Sequence, residues 1–132
     1  MMLVELPGRA LVEDADELVR LLRQAGARFA FVHGSRAHGT ARPHSDLDIA
    51  AWFAGADPTP WDIVLPAGVD LLVLDRAPLE LAGRVALRGA LLFDDDPPAR
   101  VAWQGDTRLE YLDEADLQRE LADVFFRSRR GR

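Results

Sequence analysis

The sequence predicts a small α/β (α+β) domain in which helices flank a small mixed sheet, and three observations predict it. Short, apolar, β-rich runs at 28–32, 47–53, 69–74 and 90–93 alternate with segments of helical periodicity. The chain has 132 residues, the size of one domain with a workable core. Its composition, 48% hydrophobic and 29% charged, is globular and excludes disorder along its length.

The elements follow in order. Asp14 with Glu17 is an aspartate variant of the capping box, and Leu11, Ala15, Leu18, Leu22 and Ala25 recur at helical spacing until Gly26, so a helix of about three turns is expected. Residues 28–32 form a strand that ends abruptly in the turn His33-Gly34-Ser35. Residues 41–45 contain Pro43 and read as loop; 47–53 resumes as a strand, closed by 55–60 with two prolines. The run 69–74 is a third strand, apolar enough for burial on both faces. Pro78 suits the first turn of a helix with Leu79, Ala82, Val85 and Ala86 on one side and Gly89 as its stop. Residues 90–93 are a fourth strand, and Asp94-Asp95-Asp96-Pro97-Pro98 reads as an acidic N-cap for another helix. A last helix carries Leu117, Leu121, Val124 and Phe125 on one stripe, and Arg127 onward reads as a frayed tail. The expected order is helix, three strands, helix, strand, helix, helix. That is one domain over residues 1–126 and a basic tail over 127–132.

Composition removes several chemistries. There is no cysteine, hence no disulfide, thiolate ligand or cysteine nucleophile. All 16 basic residues are arginine, so cationic help to a phosphate comes from arginine or a metal. Net charge is −6, and the last six residues contribute +4, which leaves −10 for residues 1–126. An acidic body is a poor general binder of nucleic acid, so no direct nucleic-acid contact is expected. It suits a protein that holds cations or docks on a basic partner. No apolar run approaches the roughly 20 residues of a membrane span, and residues 1–9 lack the pattern of a signal peptide, so a cytoplasmic address is expected.

The most informative segment is 33–50, HGSRAHGTARPHSDLDIA. Gly34-Ser35 sits where a strand meets a turn, offering backbone N–H groups and a hydroxyl to terminal phosphates, with Arg36 adjacent to neutralise charge. Ten residues later, Asp46 and Asp48 stand two apart on a strand and so point to one face. Close ionised carboxylates repel unless a cation holds them, and Mg²⁺ prefers oxygen ligands while keeping positions open for substrate phosphates. Asp70 interrupts an apolar strand, where an unpaired buried carboxylate would cost several kcal/mol. A reason to retain it is that it faces the same cations. Three such aspartates can hold two Mg²⁺ ions about 4 Å apart, and Asp70 is then the natural general base.

Gly34-Ser35, then Asp46-Leu47-Asp48 and the later Asp70 strand resemble the DNA polymerase β nucleotidyltransferase superfamily. The variant they resemble is the minimal nucleotidyltransferase (MNT) antitoxin family of HEPN/MNT toxin–antitoxin systems. Gly34 to Gly39 (GSRAHG), Ser45-Asp46-Leu47-Asp48, Val69-Asp70-Leu71, residues 91–97 and Glu110-Tyr111-Leu112-Asp113 agree with it, over roughly residues 15 to 115. The resemblance implies a DNA polymerase β-like fold and a type VII antitoxin that transfers AMP from ATP to a tyrosine of its HEPN ribonuclease toxin. It implies Asp46, Asp48 and Asp70 as catalytic and metal-binding residues, Gly34, Ser35, Arg36 and Ser45 as nucleotide-binding residues, and Mg²⁺ or Mn²⁺ as the metal.

Plainer readings stand beside these. A lone Asp-x-Asp is more often a solvated turn, and joining it to Gly34-Ser35 and Asp70 is what moves it to a metal site. Ser35 also suits a helix N-cap, which is compatible with a phosphate contact. His33, His38 and His44 hint at zinc, but the absence of cysteine and the oxygen ligands nearby argue against it. Asp94, Asp95 and Asp96 are expected to be a cap rather than a second metal site. Two other functions compete: an aminoglycoside-type nucleotidyltransferase, which usually adds a helical domain, and an antitoxin that neutralises by binding alone.

Overall fold

The structure, a computed structural model, describes residues 15–34, 47–56, 58 and 63–130. Leu18, Val19 and Leu22 give the first helix, α1 (Ala15–Gln24), its apolar stripe, and with Ala15 they are its buried residues. The expected cap, Asp14, lies outside the described residues, and Glu17 accepts from Arg20 on the solvent side. The helix ends where expected. Gly26 has φ 98°, a left-handed conformation that favours glycine, while the Ala27 N–H donates to the Leu22 carbonyl and the Gly26 N–H to that of Arg23, both at 3.0 Å.

Four strands follow: β1 (Phe29–His33), β2 (Leu47–Trp52), β3 (Val69–Val73) and β4 (Ala90–Asp94). They form a mixed sheet in the order β3-β2-β1-β4, with β1 antiparallel to both neighbours and β2 parallel to β3. Alternation divides the side chains between two layers. Ala30, Val32, Leu47, Ile49 and Ala51 pack with α1 on one face. Phe29, Phe31 and Ala50 pack on the other with Val85 of α2 (Leu79–Arg88) and Trp103 of α3 (Pro97–Arg130). On that second face the Phe29 ring stacks on Trp52 at 5.2 Å, and Trp103 lies 5.7 Å from Phe29 and 5.8 Å from Phe31, pinning the start of α3 to the sheet.

Two expectations change. The strand at 69–74 is not buried on both faces, because β3 is the sheet edge: its residues are mostly half-buried and Asp70 is exposed. An apolar run alone does not tell a central strand from an edge strand. The two expected C-terminal helices are one helix of 34 residues, about 51 Å at 1.5 Å per residue, and it runs through Arg127 to Arg130 where a frayed tail was expected.

The acidic run 94–96 is a cap and an anchor. Asp96 Oδ1 accepts the Ala99 N–H at 3.2 Å, the N-cap bond. Asp94 holds Arg100 at 2.9 Å, Asp96 holds Arg28 at 3.0 Å, and Asp95 accepts from Nε and Nη2 of Arg23, at 2.8 and 2.7 Å. These pairs tie β4 and α3 to α1 and β1.

Helices α2 and α3 meet where Gly83 faces Tyr111, so closely that a Cβ on Gly83 would overlap the tyrosine ring. Gly105 in α3 faces open space. Helix propensity alone predicts that alanine stabilises both sites by up to about 1 kcal/mol. Gly105→Ala is therefore expected to raise the urea midpoint, whereas Gly83→Ala is expected to lower it, since overpacking costs about 1–3 kcal/mol. Equal stabilisation of both would contradict this helix contact.

Candidate active site

Strand directions place one end of the sheet. β1 finishes at His33, while β2 and β3 have just begun at Asp48 and Asp70. Pairing then aligns the side chains: His33 is opposite Asp48 in the antiparallel pair, and Asp48 is beside Asp70 in the parallel pair. Cross-strand partners point to the same face, so His33, Asp48 and Asp70 form a row across three strands, with neighbouring strands about 4.8 Å apart. This is the face covered further along by α2 and α3.

The position of Asp70 therefore has a different cause from the one expected. Its carboxylate is exposed, so no burial penalty has to be offset. The parallel register puts it beside Asp48. Asp48 is half-buried, and its Oδ2 lies against the Cα of Gly34, where any Cβ would collide with it. Gly34 has φ 75°, so both backbone conformation and space require glycine here. Gly34, directly after β1, and the Asp48 carboxylate are thus fitted to each other.

His33 is half-buried, and that burial lowers its pKa below the ordinary imidazole value, opposed by the Asp48 charge and a backbone hydrogen bond at Ile49. At neutral pH the ring is therefore neutral and adds no positive charge to the row.

Of the sequence-read residues, Gly34, Asp48 and Asp70 come together. Ser35, Arg36, Ser45 and Asp46, with His38 and His44, lie outside the described residues. Among the described residues no group of three His, Cys, Asp or Glu side chains could hold a metal ion. The cation set read from the sequence includes Asp46. What the described part offers, two oxygen-donor carboxylates in register at one end of the sheet, fits a hard divalent ion rather than a soft one.

A cavity of about 240 Å³ adjoins the row, lined by His33, Gly34, Leu81, Arg84 and Arg88. The two arginines were not among the residues singled out in the sequence. The available signal was Arg84 and Arg88 standing one turn apart on the helix that follows the Asp70 strand. A larger cavity of about 320 Å³, lined by Val69, Leu71 and Val73 among others, lies on the opposite face from Asp70 by strand alternation. It is not part of this site.

Comparison with known proteins gives a family and a fold. Residues 16–98 match the family model described as Polymerase beta, Nucleotidyltransferase. No curated protein matches the sequence. Among solved structures, a toxin–antitoxin with AMP-PNP is 24% identical with TM-score 0.69, covering 85% of this chain and 98% of its own. A mutant of the toxin–antitoxin MntA-HpeT is 26% identical with TM-score 0.66, covering 83% and 96%. An MNT antitoxin in complex with the tri-AMPylated HEPN toxin of Shewanella oneidensis is 22% identical with TM-score 0.64, covering 86% and 97%. Among the described residues no helix is long and apolar enough to cross a membrane.

Proposed function

This chain belongs to the polymerase beta nucleotidyltransferase family, and from that premise we propose that it is the antitoxin of a type VII HEPN/MNT pair, transferring AMP from ATP to a tyrosine of its cognate HEPN ribonuclease toxin. The observation that carries the proposal is the parallel register of Asp48 and Asp70 beside the Gly34 turn. It is supported by likeness to toxin–antitoxin complexes, one with AMP-PNP and one of an MNT antitoxin with an AMPylated HEPN toxin.

In this reading Asp46, Asp48 and Asp70 would hold Mg²⁺ or Mn²⁺, which supplies positive charge to the phosphate oxygens. Gly34, Ser35, Arg36 and Ser45 orient the nucleotide. The tyrosine oxygen attacks the α-phosphorus, the bond from that phosphorus to pyrophosphate breaks, and the phenolic proton passes to Asp70. Rate comes from placing these groups and from electrostatics, since the nucleotide already carries a good leaving group. The acidic body, −10 over residues 1–126, favours approach of a basic, RNA-cleaving partner.

The test is stoichiometry. With ATP and Mg²⁺, one part of this protein to about a hundred of toxin is expected to silence the ribonuclease durably, and intact mass should show whole AMP additions on the toxin. A one-to-one requirement without mass change would establish a binding-only antitoxin. Transfer to an aminoglycoside but not to the toxin would establish a small-molecule enzyme.

A further inference from the structure

We propose that Arg84 and Arg88 form an anion seat for the β- and γ-phosphates of the nucleotide, across Gly34 from the carboxylates; this rests on the transferase reading above. Leu81, Arg84 and Arg88 recur at i, i+3 and i+7 on α2 and present one stripe to the cavity they share with His33 and Gly34. The topology brings that stripe to the correct end of the sheet. α2 finishes at Arg88, β4 begins two residues later, and its first residue, Ala90, pairs with Val32 immediately before His33. Gly34 is the common wall, with the cavity on one side and the Asp48 carboxylate against its Cα.

Charge and size point to a phosphate tail. Arg20, Arg23, Arg28, Arg100, Arg119 and Arg127 each hold a carboxylate, whereas Arg88, among the described residues, has no hydrogen-bond or ion-pair partner. Among the described residues Arg84 pairs with Glu80 one turn away, an exposed contact at 2.9 Å that a phosphate oxygen can replace at little cost. Basic residues at a helix C-terminus also offset its dipole, but Arg84 stands a turn earlier and still faces the same cavity. At about 240 Å³ the space is below the roughly 300–1,000 Å³ of pockets that enclose whole ligands, so it accepts the tail and not the base. With no lysine in the chain, guanidinium groups are the side-chain cations on offer, and their forked donors suit phosphate oxygens.

Titration calorimetry of the full chain in Mg²⁺ with AMP-PNP and, separately, with AMP tests the seat. Arg84→Ala/Arg88→Ala is expected to weaken AMP-PNP about 10- to 100-fold, the usual loss of charge-assisted hydrogen bonds, while AMP changes less than about 3-fold. Arg88→Lys should retain an intermediate affinity for AMP-PNP. Both side chains are exposed, so the melting temperature should stay at the parent value. Parent-like AMP-PNP binding by the double variant, or an equal loss for AMP, overturns the seat and leaves the transferase reading standing. Failure of the unmodified chain to bind AMP-PNP overturns both.

Discussion

Replacing Asp46 and Asp48 together by asparagine is expected to lower AMP transfer by at least about 1,000-fold while leaving the melting temperature within a few degrees of the parent. The change keeps side-chain volume and removes two negative charges from a site whose rate, in the proposed mechanism, depends on cations held against phosphate oxygens, where loss of one electrostatic contact alone costs about 100- to 1,000-fold. Stability should survive for a structural reason. Asp48 stands beside Asp70 in the parallel register, and replacing one of two facing carboxylates relieves repulsion. Its contact with Gly34 is retained by an amide of the same shape. The measurement is transfer of α-labelled AMP to the toxin at saturating ATP, repeated with Mn²⁺, alongside a melting curve. Parent-level transfer by a folded double variant would refute the site.

What the sequence made legible is mostly periodicity and spacing. The spacing of Asp46 and Asp48 and the carboxylate in the 69–74 run led Asp70 to be expected beside the same cations, and the register places Asp48 and Asp70 on one row. The Gly26 stop, the Asp96 cap and the Gly89 stop are local chemistry, readable because each answers a need of its own helix terminus. What was not legible depends on neighbours distant in the chain. The run 69–73 looks the same in composition at an edge as in the middle of a sheet, so its half-exposure and the exposure of Asp70 came from the strand order. The single long helix was hidden by its own pattern. Trp103, Thr107 and Tyr111 lie toward the body, while Leu117, Leu121, Val124 and Phe125 are exposed, so one helix reads as two. Arg84 and Arg88 were passed over because Glu80 and Arg84 make the i,i+4 pair of an ordinary solvated face, and only the end-of-sheet topology aligns them with Gly34.

Leu121→Glu/Phe125→Glu is expected to weaken binding to the toxin at least about 100-fold and to leave AMP-PNP affinity unchanged. Helix α3 leaves the body beyond its contacts with the first turn of α2, where Leu79 and Glu80 face Tyr111, Glu114, Ala115 and Gln118 around a cavity of about 380 Å³. From Gln118 to Arg130 it continues for about 18 Å at the helical rise. Along the last turns of α3, Leu117, Leu121, Val124 and Phe125 expose 48%, 56%, 62% and 56% of their surface, so the stripe read from the sequence is not consumed by the core. Contiguous apolar side chains at this spacing fit a helix-in-groove contact, and anchors of such contacts each carry about 2 kcal/mol or more. Two glutamates there would meet an apolar partner surface unpaired, which costs more than loss of the contact alone. Because the stripe is remote from Asp48 and Asp70 in the chain and borne by a solvent-facing helix, its change should spare folding and nucleotide binding. The readout is size-exclusion co-elution with the HEPN protein, followed by AMP transfer at low and high protein concentration. Transfer that collapses at low concentration and recovers at high concentration marks the stripe as the dock. Undiminished co-elution of the double variant would place the partner elsewhere, and dimerisation of the unmodified chain alone, abolished by the same change, would assign the stripe to a second copy.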